Sequence, residues 1–250
     1  MTATTPQPRS APVARFHCRR ITGVFGLAWI VLFALGGIAL QGQPPAYDAP
    51  IGETRDFFAA HGDRYLWGDY IAGLAFVLCL LPFLAGLRSV LGAADGPPQI
   101  ASRLVLVGGI ATVVIGDAAT AFLDALALES APNAVPDSTF RLLLELDAVA
   151  IAAIGLPMAL TATAAATVIW RTRVLPRWLA PVAALSGLLH IVGATFVAAD
   201  DADGPLFFIR FAGLIAFAVF VAGSSVNLVL GTPTGTPPPG GKPAGVGRRR

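Results

Sequence analysis

Six long apolar stretches divide this 250-residue chain, and they limit its fold more than any other feature. A helix that crosses a bilayer needs about 20 mostly apolar residues, because the hydrocarbon core is ~30 Å thick and a helix rises ~1.5 Å per residue. Each stretch reaches that length, so the sequence predicts an all-α membrane protein, a bundle of six transmembrane helices. The predicted spans cover residues 21–40, 66–87, 104–128, 142–170, 179–199 and 205–230.

The composition agrees with this class. Hydrophobic residues make up 55% of the chain and charged residues only 13%, whereas soluble domains average about 25% charged residues. The spans leave no room for a separate soluble domain. We therefore expect one transmembrane domain at 15–230 between two disordered tails, 1–14 and 231–250, since the tails are too rich in Pro, Gly and Thr to build a core. The net charge of +2 is too small for a nucleic-acid-binding surface, and the expected partner is the lipid bilayer.

The basic residues are distributed unevenly between the loops. Of the 17 basic residues, only Arg55, Arg64 and Arg141 lie in the second, fourth and sixth extramembrane segments, and Arg210 lies inside a span. All others lie in the alternate segments. Arg and Lys are retained in cytoplasmic loops, so the alternation predicts a cell-membrane protein with both termini in the cytoplasm.

The ionisable residues near the span boundaries indicate a weak internal repeat. Spans one, three and five each follow a cytoplasmic arginine, and spans two, four and six each begin with an ionisable residue near the outer surface. This pattern predicts three parallel helical hairpins. The alternative is that any protein built of membrane hairpins carries such arginines.

Ionisable residues inside the spans mark the place where any chemistry must occur. A charge at the centre of a membrane helix costs about 2.5–3.5 kcal/mol on insertion scales, and such groups usually pair or line water. Five carboxyl groups here face one arginine and one histidine, so they cannot all be neutralised by ion pairs. The predicted proton, cation or ligand site consists of Asp117, Asp124, His190, Arg210, Asp147, Glu145 and Asp69.

Roles within this set follow from depth. Asp117 is the deepest carboxyl group and shares a helix face with Asp124, two turns away. We expect Asp117 to hold a proton that His190 could exchange. Arg210 could neutralise one carboxylate, and the structural alternative is an inter-helix ion pair of Arg210 with Asp124 or Asp147.

Three classes of function remain open. The leading one is a small transporter, a proton- or cation-coupled carrier with an acidic cavity that opens outward. The alternative is a structural or accessory membrane protein whose buried charges hold the helices together. An intramembrane enzyme comes third and is the less expected class, because no nucleophile–base pair, metal-ligand spacing or cofactor motif is present. We therefore predict no catalytic residue, no metal and no cofactor.

The connection at 41–65 is the longest on the outer side. Its segment 53–61 predicts a short helix on the membrane surface, ended by Gly62, with Phe57 and Phe58 facing lipid. Tyr65, Trp67 and Tyr70 follow at the depth where aromatic residues anchor membrane proteins, and we interpret them as such anchors.

Two short signatures carry a family resemblance. They are Arg20-Ile21-Thr22-Gly23 before the first span and Leu175-Pro176-Arg177-Trp178-Leu179-Ala180 before the fifth. With the hydropathy pattern, they make residues 15–230 similar to a family of six-span bacterial integral membrane proteins, a domain of unknown function. The resemblance implies the six-span architecture and no particular substrate.

Overall fold

The computed structural model describes residues 12–128, 134–197, 199 and 204–231, and these residues form helices joined by turns and irregular loops, with no strand among them. Six of the helices are long and apolar enough to cross a membrane, which confirms the predicted class. They are α1 (Pro12–Phe33, continued as a π-helix at Ala34–Leu40), α2 (Ile51–Leu74, a π-helix at Ala75–Leu80 and Leu81–Asp95), α3 (Ile100–Ala127), α4 (Asp137–Thr172), α5 (Leu179–Gly193, then a 3-10 turn at Ala194–Val197) and α6 (Pro205–Leu230).

The helices are arranged as a closed bundle in chain order. Each helix packs against the next one along the chain, and α6 packs against α1. The centre of the bundle is a large apolar cluster that includes Trp29, Phe83, Phe217 and Phe220. Because residues on the opposite faces are exposed and apolar, as lipid-facing positions are, the chain has the construction of a multi-pass membrane protein.

The contact between α1 and α2 depends on two glycines. A Cβ atom on Gly36 would lie 2.5 Å from the carbonyl oxygen of Gly68, and one on Gly68 would lie 2.6 Å from the backbone nitrogen of Gln41. Backbone atoms cannot move aside singly, so neither position has room for a side chain. In lipid, close backbone approach of this kind replaces the hydrophobic effect as the source of helix association. It also brings the end of α1 beside the Asp69 turn of α2.

The prediction of a separate surface helix at 53–61 is wrong. Residues Ile51–Leu74 form one uninterrupted α-helix that passes through Gly62, whose Cα approaches the backbone of Ala127 so closely that a Cβ would clash. Phe58 is only 2% exposed and packs with Phe140 in a second apolar cluster. Phe58 is thus buried in the bundle instead of facing lipid, and Phe57 is half-buried against the same cluster.

An ion pair joins α2 to α4 at the end of the bundle that contains Phe58 and Phe140. The Arg55 guanidinium on α2 lies 2.8 Å from the Asp137 carboxylate at the start of α4 and 4.5 Å from the centre of the Phe140 ring. Asp137 is exposed, so this pair adds little stability. Its position nevertheless shows that α2 and α4 meet beyond the apolar core of the bundle.

The predicted tails fall mostly outside the described residues. This applies to residues 1–11 and 232–250, which include the terminal arginines. Residues 12–14, predicted to belong to the disordered tail, are part of α1.

Candidate functional site

Two carboxyl groups meet between α2 and α3 near the arginine-poor end of the bundle. The carboxyl groups of Asp69 and Asp124 are within hydrogen-bonding reach of each other, and the Thr120 hydroxyl also reaches Asp69. Asp69 Oδ1 accepts a hydrogen bond of 2.7 Å from the Gln41 amide. Asp124 Oδ1, in contrast, is buried and has no hydrogen-bond donor among the described residues. Asp69 and Asp124 therefore form a pair of acids in which one buried carboxyl oxygen, Asp124 Oδ1, has no hydrogen-bond donor among the described residues.

A third carboxyl group lies on α4 and has its own donor. Asp147 is 1% exposed, and the Tyr47 hydroxyl donates a hydrogen bond of 2.5 Å to its Oδ2. Tyr47 lies in the connection between α1 and α2, outside the spans. Burial raises the pKa of the Tyr47 phenol, and the negative charge of Asp147 raises it further. The phenol therefore stays protonated and remains a donor.

Tyr65 stands between these two groups of acids. It is buried in the second apolar cluster, and its phenol lies close enough to interact electrostatically with three acids, Asp147, Asp69 and Asp124. Since Tyr65 lies four residues before Asp69 on α2, the two side chains share a helix face. We call Asp69, Asp124, Asp147 and Tyr65 together the carboxyl cluster.

Arg210 on α6 is the basic residue nearest the carboxyl cluster. It lies near the neutral Tyr47 phenol and close enough to Asp147 for electrostatic attraction, yet among the described residues no carboxylate oxygen lies within 4.0 Å of it. Its Nε is buried and has no hydrogen-bond partner there. The predicted direct ion pair of Arg210 with Asp124 or Asp147 is thus absent from the described part of the chain. Arg210 and Asp147 interact electrostatically at a separation of more than 4.0 Å, without a direct ion pair.

His190 on α5 is held apart from the acids. Its Nδ1–H donates to the carbonyl oxygen of Ser186 at 2.8 Å, and its ring lies against Gly213 of α6, where a Cβ would be 2.9 Å from Nδ1. The side chain is buried. Its environment is that of a histidine satisfied by the backbone and packed between two helices.

The surroundings of His190 give no support to direct proton exchange with Asp117, which stays a prediction. Asp117 lies on α3, where its Oδ1 would be 3.8 Å from a Cβ on Gly73 of α2. The helix that carries Asp117, α3, packs mainly against α4, whereas α5, which carries His190, packs against both α4 and α6. Asp117 is exposed and lies along the α2–α3 contact from the carboxyl cluster.

Glu145 also lies outside the carboxyl cluster. It is exposed, whereas Asp147, two residues further along α4, is buried. The helical rotation of about 200° between such positions explains the difference. Of the seven predicted site residues, the structure thus brings Asp69, Asp124 and Asp147 together with Arg210 nearby, and leaves Asp117, Glu145 and His190 apart.

Three residues of the site were not predicted from the sequence. Tyr65 was interpreted as a membrane anchor, which is wrong, although its spacing of one turn from Asp69 was a signal that both face the same neighbour. Trp67 and Tyr70, in contrast, are exposed. Tyr47 and Gln41 have no such local signal, because only the folding of the 41–50 connection onto the bundle brings them to the acids.

A metal centre has no support in the described residues, which contain no group of three or more His, Cys, Asp or Glu side chains placed to hold an ion. No family model, no curated protein and no solved structure matches the chain. The resemblance to six-span bacterial membrane proteins stays a prediction.

Proposed function

We propose that the protein is a small proton- or cation-coupled carrier and that the carboxyl cluster is its ion site. The observation that supports this is the contact between Asp69 and Asp124. Two ionised carboxylates in contact repel each other strongly in a medium of low dielectric constant. A shared proton or a bound cation removes that repulsion.

A proton fits the hydrogen bonding of the pair. Gln41 already donates to Asp69 Oδ1, while the buried Asp124 Oδ1 has no donor. A proton on either carboxyl group would supply the missing donor and form a hydrogen bond between the two acids. One proton then leaves the pair with a single negative charge.

Asp117 extends this arrangement toward the middle of the bundle. It lies seven residues from Asp124 on α3, about 10 Å by helical rise, and faces the turn of α2 that follows Asp69, at Gly73. An acid at this place is a stepping point from the carboxyl cluster to a deeper level of the membrane along the α2–α3 contact.

The orientation in the membrane is part of the proposal. The arginine-poor end, which carries the carboxyl cluster, faces the outside of the cell membrane, and both termini are cytoplasmic. The distribution of arginine supports this orientation. We further propose that the six helices are three parallel hairpins, which the recurring arginines and outer ionisable residues support.

Proton flux into liposomes tests the proposal. The purified protein is reconstituted with a pH-sensitive dye inside, and a pH gradient is imposed with Na⁺ or K⁺ on the opposite side. We expect dissipation of the gradient above that of empty liposomes, and a decrease of about tenfold or more in Asp124→Asn. Loss of one proton-transfer group typically costs 10²–10⁴-fold in catalysed proton transfer.

Glu145→Gln is the matched control, because it neutralises an exposed acid outside the carboxyl cluster. Its flux should stay within about twofold of the wild type. Infrared spectra at neutral pH should show a protonated carboxyl band that Asp124→Asn loses and Glu145→Gln retains. A wild type with neither the band nor the flux would refute the carrier proposal.

A structural role is the second candidate, and one observation favours it. The hydrogen bonds of Gln41 to Asp69 and of Tyr47 to Asp147 fasten the 41–50 connection to α2 and α4. In a structural protein, the role of Asp69 and Asp147 would be to accept these two hydrogen bonds and hold the connection in place. Asp124→Asn would then lower the unfolding temperature while the wild type carries no flux.

A further inference from the structure

A groove of about 440 Å³ opens at the arginine-rich end of the bundle, far from the carboxyl cluster. It lies between the start of α3 and the last turns of α4, under the connection at 96–99. Below it, α3 and α4 are in tight contact, because a Cβ on Gly108 would meet the Thr161 side chain and the Pro157 carbonyl. The two helices diverge above this contact, and the space between them is the groove.

The groove opens toward lipid along an apolar wall. Its lining includes Ile100, which is 61% exposed, and Leu160, which is 37% exposed. Along α4 the lining extends from Leu160 to Arg171, twelve residues that span ~16 Å of helix. That length is about half of the ~30 Å hydrocarbon core. The groove therefore has the length of an acyl chain in one leaflet of the membrane.

Two opposite charges stand at the wide end of the groove. Asp95 and Arg171 both line it, and no ion pair within 4.0 Å joins them to each other or to any other described residue. Asp95 Oδ2 accepts a long hydrogen bond of 3.3 Å from the Ser102 backbone N–H, and Arg171 is exposed. A ligand that carries both charges would complement them, whereas a purely anionic headgroup would be repelled by Asp95.

We propose that this groove holds one molecule of a phosphoethanolamine-headed phospholipid. Its phosphate contacts Arg171, its primary ammonium contacts Asp95, and one acyl chain lies between α3 and α4. Arg171 binds phosphate through a charge-assisted hydrogen bond, and the ammonium group donates to the carboxylate. This site is independent of the carboxyl cluster and of any transport by it.

Native mass spectrometry of the full chain, released from micelles with added lipid, tests the proposal. We expect phosphatidylethanolamine to be retained in preference to phosphatidylglycerol at equal concentration. Arg171→Gln should weaken retention about fivefold, the effect of one basic residue at a membrane surface. Asp95→Asn should weaken binding of phosphatidylethanolamine by a similar factor and leave phosphatidylglycerol unweakened.

Two further variants separate the groove from general surface charge. Arg177→Gln removes an exposed arginine at the same end that does not line the groove, and retention should stay within about twofold. Thr167→Phe fills the groove from an exposed position, so it should reduce retention without loss of folding in a melting curve.

Three results would overturn the proposal. Equal retention of phosphatidylglycerol would show that the ammonium contact does not exist. Unchanged retention in Arg171→Gln and Thr167→Phe would place the lipid elsewhere. Competition by glycerophosphoethanolamine, which has no acyl chains, at the same concentration as the lipid would identify a soluble phosphate ester as the ligand.

Discussion

Replacing Tyr47 by Phe removes a single hydroxyl group from the hydrogen bond that holds the 41–50 connection to α4. The bond is 2.5 Å long and ends on Oδ2 of Asp147, within the range of O–H···O⁻ bonds to an ionised acceptor. Because Asp147 is 1% exposed, water does not readily replace the lost donor. We therefore expect Tyr47→Phe to destabilise the protein.

The magnitude follows from the type of bond. A hydrogen bond to a charged group contributes about 1.5–3 kcal/mol to stability, and an acceptor left buried without a donor incurs the corresponding desolvation cost. Tyr47→Phe should therefore lower the free energy of unfolding by about 1.5–3 kcal/mol. In a double-mutant cycle with Asp147→Ala, the coupling energy should be about 1 kcal/mol or more.

Unfolding in mixed micelles with increasing SDS, followed by tryptophan fluorescence, measures these free energies. Tyr70→Phe is the matched control, because Tyr70 is 58% exposed and its ring contacts Trp67 at the surface of the bundle. That control should change the free energy by less than about 0.5 kcal/mol. The reasoning is refuted if Tyr47→Phe matches the control or if the cycle shows no coupling.

The same variant has a signature at high pH. Burial and the charge of Asp147 raise the pKa of the Tyr47 phenol, so the folded protein holds this proton more tightly than the unfolded chain, in which tyrosine titrates near pH 10. The stability that the protonated Tyr47 phenol gives to the folded protein is fully present below about pH 10 and decreases as the pH rises above that value. The stability of Tyr47→Phe should consequently fall less steeply above pH 10, by up to about 1.4 kcal/mol per pH unit.

Two further predictions concern the orientation and the packing of the helices. If both termini are cytoplasmic, an impermeant maleimide should label Cys18, which is exposed, in inside-out vesicles and not in right-side-out vesicles. A cysteine introduced by Ala46→Cys in a Cys18→Ser chain should be labelled in right-side-out vesicles and not in inside-out vesicles. Labelling of Cys18 from the outside would contradict the proposed orientation. Gly36→Ala should destabilise the bundle by about 1–3 kcal/mol through overpacking, because its Cβ would lie 2.5 Å from the Gly68 carbonyl oxygen. Gly52→Ala, where a Cβ meets nothing within 4 Å, should change stability by less than about 1 kcal/mol, and equal effects in the SDS titration would show that this close contact does not form.

The α2 helix shows why the apolar core of each element could be predicted and its ends could not. The run from Leu66 to Leu87 is apolar, and hydropathy alone predicts its membrane span. The helix nevertheless begins at Ile51, in a polar segment whose sequence favours a surface helix ended by Gly62. Its continuation depends on the burial of Phe58 in the apolar cluster that includes Phe140, a residue about 80 positions away that no local pattern reports.

The acids of the site show the same difference between what the sequence predicts and what only the folded structure decides. Their position along each helix follows from the rise per residue, so the sequence indicates that Asp69, Asp124 and Asp147 lie near one end of the bundle. Whether such residues meet depends on the rotation of each helix and on its neighbours. Asp124 and Asp117 share a face, yet only Asp124 is half-buried and in contact with Asp69.

The sequence by itself determined that six helices are long and apolar enough to cross a membrane, because length and hydropathy are local properties. It also determined that unbalanced carboxyl groups are concentrated in the membrane domain. Only the tertiary structure decided which of them come together, and that Tyr47 and Gln41 are their donors. The physical reason is that close backbone contacts, such as that of Gly36 with Gly68, fix the rotation and neighbours of each helix, and these contacts join residues distant along the chain.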